Sequence, residues 1–317
     1  MHVHALQQAV RDVEQAYKNW WAGRAKAPTP RKRGINDSMR FGDPQTFQVR
    51  RLTKNLGEVS IPKLGWVRMR WDGELPGDAR NLTISRKAGC WFASIACEKE
   101  VDAPTASNLP AVGIDRGVAV FAAMSDGTLI APANHGKKAL RALARAQKNL
   151  ARKRKGSANR RKAVLRVARL HLRVKDARKD FLHKLTTTIA KNHSTVVIED
   201  LRVGNMTRSA TGSVEEPGTN VRQKAGLNRA ILDQGWGLFR TLLEYKLVDR
   251  GGTLIEAPSH HTSQTCSECG HVTKENRQSR DKFACVACGH QAHADVNAAI
   301  NILSRMDDTA QPAEASP

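Results

Sequence analysis

Residues 111–127 read AVGIDRGVAVFAAMSDG, and residues 195–201 read TVVIEDL. Each opens with a short apolar run that ends in acid: Asp115 in the first, Glu199 followed by Asp200 in the second. Runs this apolar and this short predict strands covered by helices. Gly117 turns the first stretch into a second strand, and Asp126-Gly127 marks a further turn. A third acid, Asp295, opens the apolar helix expected in HADVNAAINILSRM, residues 293–306. Strand ends and helix starts meet at one edge of an α/β sheet, so Asp115, Glu199 and Asp295 are expected to converge. Clustered carboxylates repel one another unless cations neutralise them, which is the setting for Mg2+ or Mn2+. Two such ions can activate water and stabilise the leaving oxygen of a phosphodiester. Taken singly, each acid could equally cap a turn or a helix.

Between these two strands the charge is concentrated. Lys137–Lys184 holds 19 lysines and arginines against Asp176 and Asp180, a net +17 in a 317-residue chain whose total is +22. Leu140, Leu143, Ala144 and Gln147 predict one helix, broken near Lys155-Gly156-Ser157. Leu165, Ala168, Leu172, Leu182, Leu185 and Ile189 predict a second, longer one. A solvated helix face normally mixes signs, whereas these faces carry one sign, so contact with phosphates is the expected use. Arg152, Lys153, Arg154, Lys155, Arg160 and Arg161 are the candidate nucleic-acid-binding residues. Nucleic acid is the partner favoured by the overall charge, ahead of acidic proteins or an anionic membrane surface. A purely structural protein would not explain such a run. No stretch of 18 apolar residues and no signal-peptide segment is present, which argues against a membrane-spanning or secreted chain.

The cysteines divide into a lone pair of positions, Cys90 and Cys97, and two CxxC elements, CSEC (266–269) and CVAC (285–288). The fifteen residues between the elements match paired knuckles holding one tetrahedral zinc on four thiolates, Cys266, Cys269, Cys285 and Cys288. Redox or iron–sulfur chemistry is the alternative. Four thiolates leave no open position, so the Zn2+ would be structural.

The remaining segments follow their own periods. Leu6, Val10, Val13, Tyr17 and Trp20 or Trp21 form one stripe of a first helix that ends near Gly23, before a basic, Pro-rich segment. FQVRRL, EVSIP, GWVRMRW, NLTISRK and CWFASIACE, within residues 45–100, predict a small twisted sheet or barrel. Arg68 and Arg70 interleave there with Trp66 and Trp71, as on a nucleic-acid face. Residues 101–110 read as a linker, 203–221 as a mobile loop, 222–249 as one helix, and TLIEAP as a strand.

GIDRG around Asp115, VVIEDL around Glu199, DQGWGLFRTLLEYK (233–246), HHTSQTCSECGH (260–271) and HADVNAAINI together resemble the TnpB proteins of IS200/IS605-type transposons. These are relatives of type V CRISPR effector nucleases. KLGWVRMRW (63–71) and DFLHKL (180–185) extend the resemblance over essentially the whole chain. It implies an α/β chain with an RNase H-like (RuvC-like) nuclease domain carrying an Asp, Glu, Asp triad, here Asp115, Glu199 and Asp295. A zinc ribbon is inserted before the last Asp. The implied order is a residual recognition-lobe helix and basic linker (1–44), then a β-rich wedge-like domain and linker (45–110). The nuclease domain follows (111–262, with basic helices at 137–192), then the zinc ribbon (263–293), a last helix (294–306) and a disordered tail (307–317). The implied activity is Mg2+- or Mn2+-dependent DNA cleavage directed by a guide RNA from the transposon end, in the cytoplasm and on the nucleoid when DNA-bound. The resemblance implies neither a membrane nor a small-molecule cofactor. Family members begin with a strand and further helices ahead of the segment matching Leu6 to Trp21, so the resemblance also implies N-terminal truncation and puts guide binding in question. The rival reading is a non-catalytic zinc-ribbon protein that binds nucleic acid and regulates transposition.

Overall fold

A computed structural model describes residues 3–306 apart from 31, 33, 35, 36, 102, 103, 106 and 214, so the tail 307–317 lies outside the described residues. Two compact units result: Met1–Asp102 with Lys153–Leu172, and Ala103–Arg152 with Arg173–Pro317. No helix among the described residues is long and apolar enough to cross a membrane.

The first unit opens with helix α1 (Val3–Trp21) and strand β1 (Ser38–Phe41). A meander of β2 (Gln48–Thr53), β3 (Leu56–Ile61) and β4 (Gly65–Arg70) follows, then the long hairpin β5 (Asp78–Lys87) and β6 (Cys90–Glu98). Two antiparallel three-stranded sheets form, ordered β1-β5-β6 and β2-β3-β4, around Phe41, Phe47, Val59, Ile61 and Leu82. β1 lies inside the stretch read as linker. Its four residues are too few to show a period, and pairing with β5 is what makes it a strand. The α1 stripe behaves differently from its periodicity: Ala5 is buried, whereas Leu6, Val10, Val13, Tyr17 and Trp20 remain exposed. Period identifies an amphipathic face but says nothing about what covers it.

In the second unit, β7 (Val112–Arg116), β8 (Ala122–Met124) and β9 (Leu129–Ile130) run antiparallel to one another in succession. Helices α2 (His135–Ala151) and α3 (Ala158–Asn192) come next, separated at residues 152–157 as expected. α3 spans 35 residues and contributes to both units. Its first half, read as part of the nuclease domain, groups with the β-rich unit: Arg169 donates to the Ala88 carbonyl in the β5–β6 turn, where Leu165 also approaches Gly89. β10 (Thr195–Glu199) and β11 (Thr253–Ala257) complete a sheet ordered β11-β10-β7-β8-β9, with β10 parallel to both β7 and β11.

Between β10 and β11 lie α4 (Val203–Met206), α5 (Val221–Gln234) and α6 (Trp236–Val248). Two readings are corrected here. The single helix expected over 222–249 is broken at Gly235, whose φ of +74° no helix interior accommodates. The loop 203–221 is partly built: it contains α4, and α5 ties it down through Lys224 to the Met206 carbonyl and Asn228 to the carbonyls of Thr207 and Arg208. Polar, glycine-rich composition does not reveal such side-chain anchors. The chain ends with β12 (Lys282–Ala284), β13 (Gln291–His293) and α7 (Ala294–Ser304).

The five-stranded sheet is covered on both faces. Val112, Ile114, Val196 and Ile198 pack with Leu182 and Ile189 of α3 and with Phe239, Leu243 and Leu247 of α6. Val197 and Ala257 meet Ile302 of α7 on the opposite face. Alternation along the strands therefore sends Gly113, Asp115, Val197 and Glu199 toward the α7 side. Gly113 is where the helix comes closest: a Cβ there would sit 2.1 Å from the Ala299 carbonyl oxygen.

Candidate active site and metal cluster

Three separate pieces of chain bring the acids together. Asp115 is the penultimate residue of the central strand β7, Glu199 ends the neighbouring parallel strand β10, and Asp295 sits in the first turn of α7, which covers that face. His293 caps this helix, its Nδ1 accepting from the Asp295 N–H at 3.3 Å. All three carboxylates line one cleft of ≈ 450 Å³, along with Ser259, Thr262, Arg277 and Arg280. Asp200, just beyond the strand, is exposed and does not line the cleft.

Electrostatics inside the cleft are dominated by negative charge in a poorly solvated place. Burial, followed by the charges of Glu199 and Asp295, pushes the Asp115 carboxyl up to about 7, while Arg277 and then Arg116 pull the other way. Glu199 is fixed from both ends: its Oε1 accepts from the Thr262 hydroxyl at 2.7 Å, and its backbone carbonyl accepts from the Arg116 guanidinium. Asp295 Oδ1 pairs with Arg277 Nη2 at 2.8 Å. In this half-buried set of hard oxygen donors one acid resists ionisation even with Arg277 and Arg116 close by, and this donor chemistry fits a divalent cation.

The four cysteine sulfurs lie within 4.8 Å of one another, and this cluster could hold a metal ion. Cys266 and Cys288 Sγ are 3.7 Å apart, and Cys269 and Cys285 Sγ 3.6 Å. The backbone amide of Cys288 leads a set of groups that pull the Cys285 thiol down to about 6. Each CxxC turn closes in the same way, the N–H of Gly270 donating to Cys266 O and that of Gly289 to Cys285 O, both at 3.0 Å.

Several supporting residues carry no spacing signal. Asn297 and Asn301, on the buried face of α7, both donate to the Thr265 carbonyl at 2.8 and 2.7 Å, and Asn301 also donates to the Thr262 carbonyl at 2.9 Å. They anchor the segment entering the cysteine cluster to the helix that carries Asp295. Thr262 and Arg277 fall in stretches that contain no period and no metal-ligand spacing; only the HHTSQT stretch preceding Cys266 marks the former.

The six basic candidates cluster in the chain rather than in the cleft. Arg152 caps the C-terminus of α2, Lys153, Arg154 and Lys155 form the turn, and Arg160 and Arg161 lie in the first turns of α3. Ser157 Oγ accepts from the Arg160 N–H at 3.1 Å and so caps α3. Arg152, Arg154, Lys155 and Arg161 are exposed, and Lys153 and Arg160 are half-buried.

Known proteins share this organisation. Residues 94–210 match the OrfB_IS605 family, described as "Probable transposase", and residues 236–302 match the Cas12f1-like TNB domain. InsQ of Escherichia coli strain K12, which carries a proposed assignment as an RNA-guided DNA endonuclease, is 47% identical over 299 residues, covering 94% of this chain and 73% of that protein. A Streptomyces pristinaespiralis protein with the same proposed assignment is 36% identical, covering 94% and 70%. Among solved structures, Cas12f1 in a complex with sgRNA and target DNA superposes with a TM-score of 0.56 at 14% identity, covering 92% of this chain and 69% of that one, a likeness of fold.

Proposed function

The chain belongs to the TnpB family of IS200/IS605-type transposons, and from that membership we propose an RNA-guided DNA endonuclease that hydrolyses phosphodiester bonds with divalent cations. The observation that carries the proposal is the convergence of Asp115, Glu199 and Asp295 on one cleft from distant parts of the chain. The sheet order β11-β10-β7-β8-β9, three antiparallel strands extended by two parallel ones, supports an RNase H-like, RuvC-like domain. The cysteine module, lying between β11 and α7, would be its inserted zinc ribbon, and the first unit's sheets its wedge-like domain.

Asp115, Glu199 and Asp295 would hold Mg2+ or Mn2+, which when bound supplies activated water and stabilises the departing 3′ oxygen. Thr262 and Arg116 keep Glu199 oriented toward the cleft, and the His293 cap fixes the start of α7. Burial, with the charges of Glu199 and Asp295, opposes ionisation of Asp115 until positive charge arrives. The cysteine cluster fits Zn2+: a regular tetrahedron with bonds of ~2.3 Å has sulfur–sulfur edges of ~3.8 Å, close to the observed 3.6 and 3.7 Å. DNA and a guide RNA from the transposon end are the proposed partners, held in part by the basic turn between α2 and α3 through phosphate contacts. The proposed location is the cytoplasm, on the nucleoid when DNA-bound.

The deciding assay gives the purified protein a guide RNA from the transposon end, a matching duplex and Mg2+. Cleavage should require the guide, stop with chelator and disappear in D115A. Cutting that persists in D115A would refute the assignment of the centre, and guide-independent cutting the RNA-directed part. Tight nucleic-acid binding with no cutting under any of these conditions would favour a non-catalytic zinc-ribbon regulator.

A further inference from the structure

A cation already faces the carboxylates, and it comes from the cysteine module. Arg277 lies between the two CxxC elements, immediately after the turn Lys274–Asn276. Its Nη2 donates to Asp295 Oδ1 at 2.8 Å and to the Arg280 carbonyl at 2.9 Å. The pair is well shielded, with Arg277 at 28% and Asp295 at 16% side-chain exposure.

The backbone of Arg277 is fastened to both halves of the cluster. It pairs in an isolated bridge with Phe283, which is buried with Cys266, Cys285 and Ala294. Its neighbour Asn276, fully buried, donates to the carbonyls of Gln264 and His271 at 2.9 and 3.0 Å and accepts from the Val286 N–H at 3.0 Å. The loop bearing the guanidinium is therefore placed by the same turns that place the thiolates. At its other end, Asp295 is one of the three acids that fit a divalent cation. A guanidinium hydrogen-bonded to a carboxylate oxygen and a cation seeking that oxygen compete for the same lone pairs and repel each other.

We propose that Arg277 is a positioning residue that holds Asp295 until a divalent cation takes the carboxylate, so that the cysteine module sets the cation affinity of the cleft. The proposal rests on reading the cleft as a divalent-cation site. Filling the cleft would shift Arg277 from Asp295, so cation binding and the Arg277–Asp295 pair oppose each other by the same free energy, and the loop loses one of its ties.

The test titrates Mn2+ into the intact, zinc-loaded protein without nucleic acid, following free Mn2+ by electron paramagnetic resonance. R277A should bind Mn2+ about tenfold more tightly than wild type, the equivalent of one charge-assisted hydrogen bond no longer opposing it. R277K should fall between the two. A residue that merely supported the fold would weaken binding when removed, not tighten it. Saturating Mn2+ should also speed amide hydrogen exchange over residues 277–283 in the wild type. If R277A sheds the cysteine-bound metal, R277Q keeps an N–H donor for the Arg280 carbonyl and serves instead. Unchanged or weaker Mn2+ affinity in a variant that retains its zinc overturns the proposal, as does hydrogen exchange over 277–283 that ignores Mn2+. If neither wild type nor variant shows Mn2+ binding that D115A removes, it is the reading of the cleft that has failed.

Discussion

The cysteine cluster and the carboxylate cleft come near each other in the chain at one point, Cys288 seven residues before Asp295, yet they are built on different principles. The four thiols come from residues 266–288 and are positioned by two tight turns. The three carboxylates come from residues 115, 199 and 295 and meet only because one sheet and one helix bring them together. Their electrostatics differ as well. Within the cluster the shifts are divided, backbone amides pulling Cys285 down to about 6 while, against the His290 amide, neighbouring thiols push Cys288 up, whereas burial and neighbouring acids push Asp115 up to about 7. A local motif can supply its own counter-charge from its turns. A dispersed site gathers acids faster than it gathers compensation, and it borrows arginines, Arg277 among them, from elsewhere.

If the two sites are separate in function, their variants should separate too. Replacing Asp115, Glu199 or Asp295 with Ala should lower cleavage by about three orders of magnitude or more. Metal analysis of the same proteins should still find the cysteine-bound ion. D200A, altering an exposed neighbour outside the cleft, should keep most of the activity. Loss of the cysteine-bound metal in D115A would mean the two centres form one cooperative unit.

The converse experiment is less clean. C285S should lose the metal altogether, and because Phe283, Arg277 and the start of α7 are tied to those turns, cleavage should also fall by about tenfold or more, as for lost support around a metal site. Full activity in a metal-free C285S protein would show that the cleft stands without the ribbon.

Gly113 tests the sheet side of the contrast. A side chain there would run into the Ala299 carbonyl and Leu303 of α7. G113V should cost about 3 kcal/mol in urea unfolding and displace Asp295, leaving the cysteine-bound metal in place. Wild-type stability would mean that α7 can yield.

The smallest effect is expected at Asp233, in DQGWG. Its carboxylate accepts from the N–H groups of Gly136 and Lys137 at the start of α2 and pairs with Arg178 of α3 at 2.6 Å. Burial alone would raise its pKa, but Arg178 and these amides outweigh burial and hold the carboxyl below its ordinary value. D233N should therefore cost about 2 kcal/mol near neutral pH. Because the folded pKa is depressed, the wild-type advantage is present above the unfolded carboxyl value of about 4 and should vanish as pH falls through the folded one. An advantage that persisted below pH 2 would exclude the ion pair as its source.

Much of this is legible in the residues. The short apolar runs ending at Asp115 and Glu199 announce buried strands, and the CxxC spacing announces the cluster, because both are properties of chain pattern and short-range geometry. The Gly235 break escapes such a reading because glycine within an otherwise helical pattern often stays helical. The exposed stripe on α1 and the strand at Ser38–Phe41 are out of reach for the opposite reason: burial and pairing depend on a second element. The same holds at the centre. That Asp115, Glu199 and Asp295 are candidates follows from their places at strand ends and a helix start. That they share a cleft with Thr262 and Arg277 follows from parallel pairing of β10 with β7 and from α7 lying close over Gly113. Side-chain identity and period travel along the chain, whereas the charge that one carboxylate feels from another depends on distance through folded space, and only the packing of sheet against helix sets that distance.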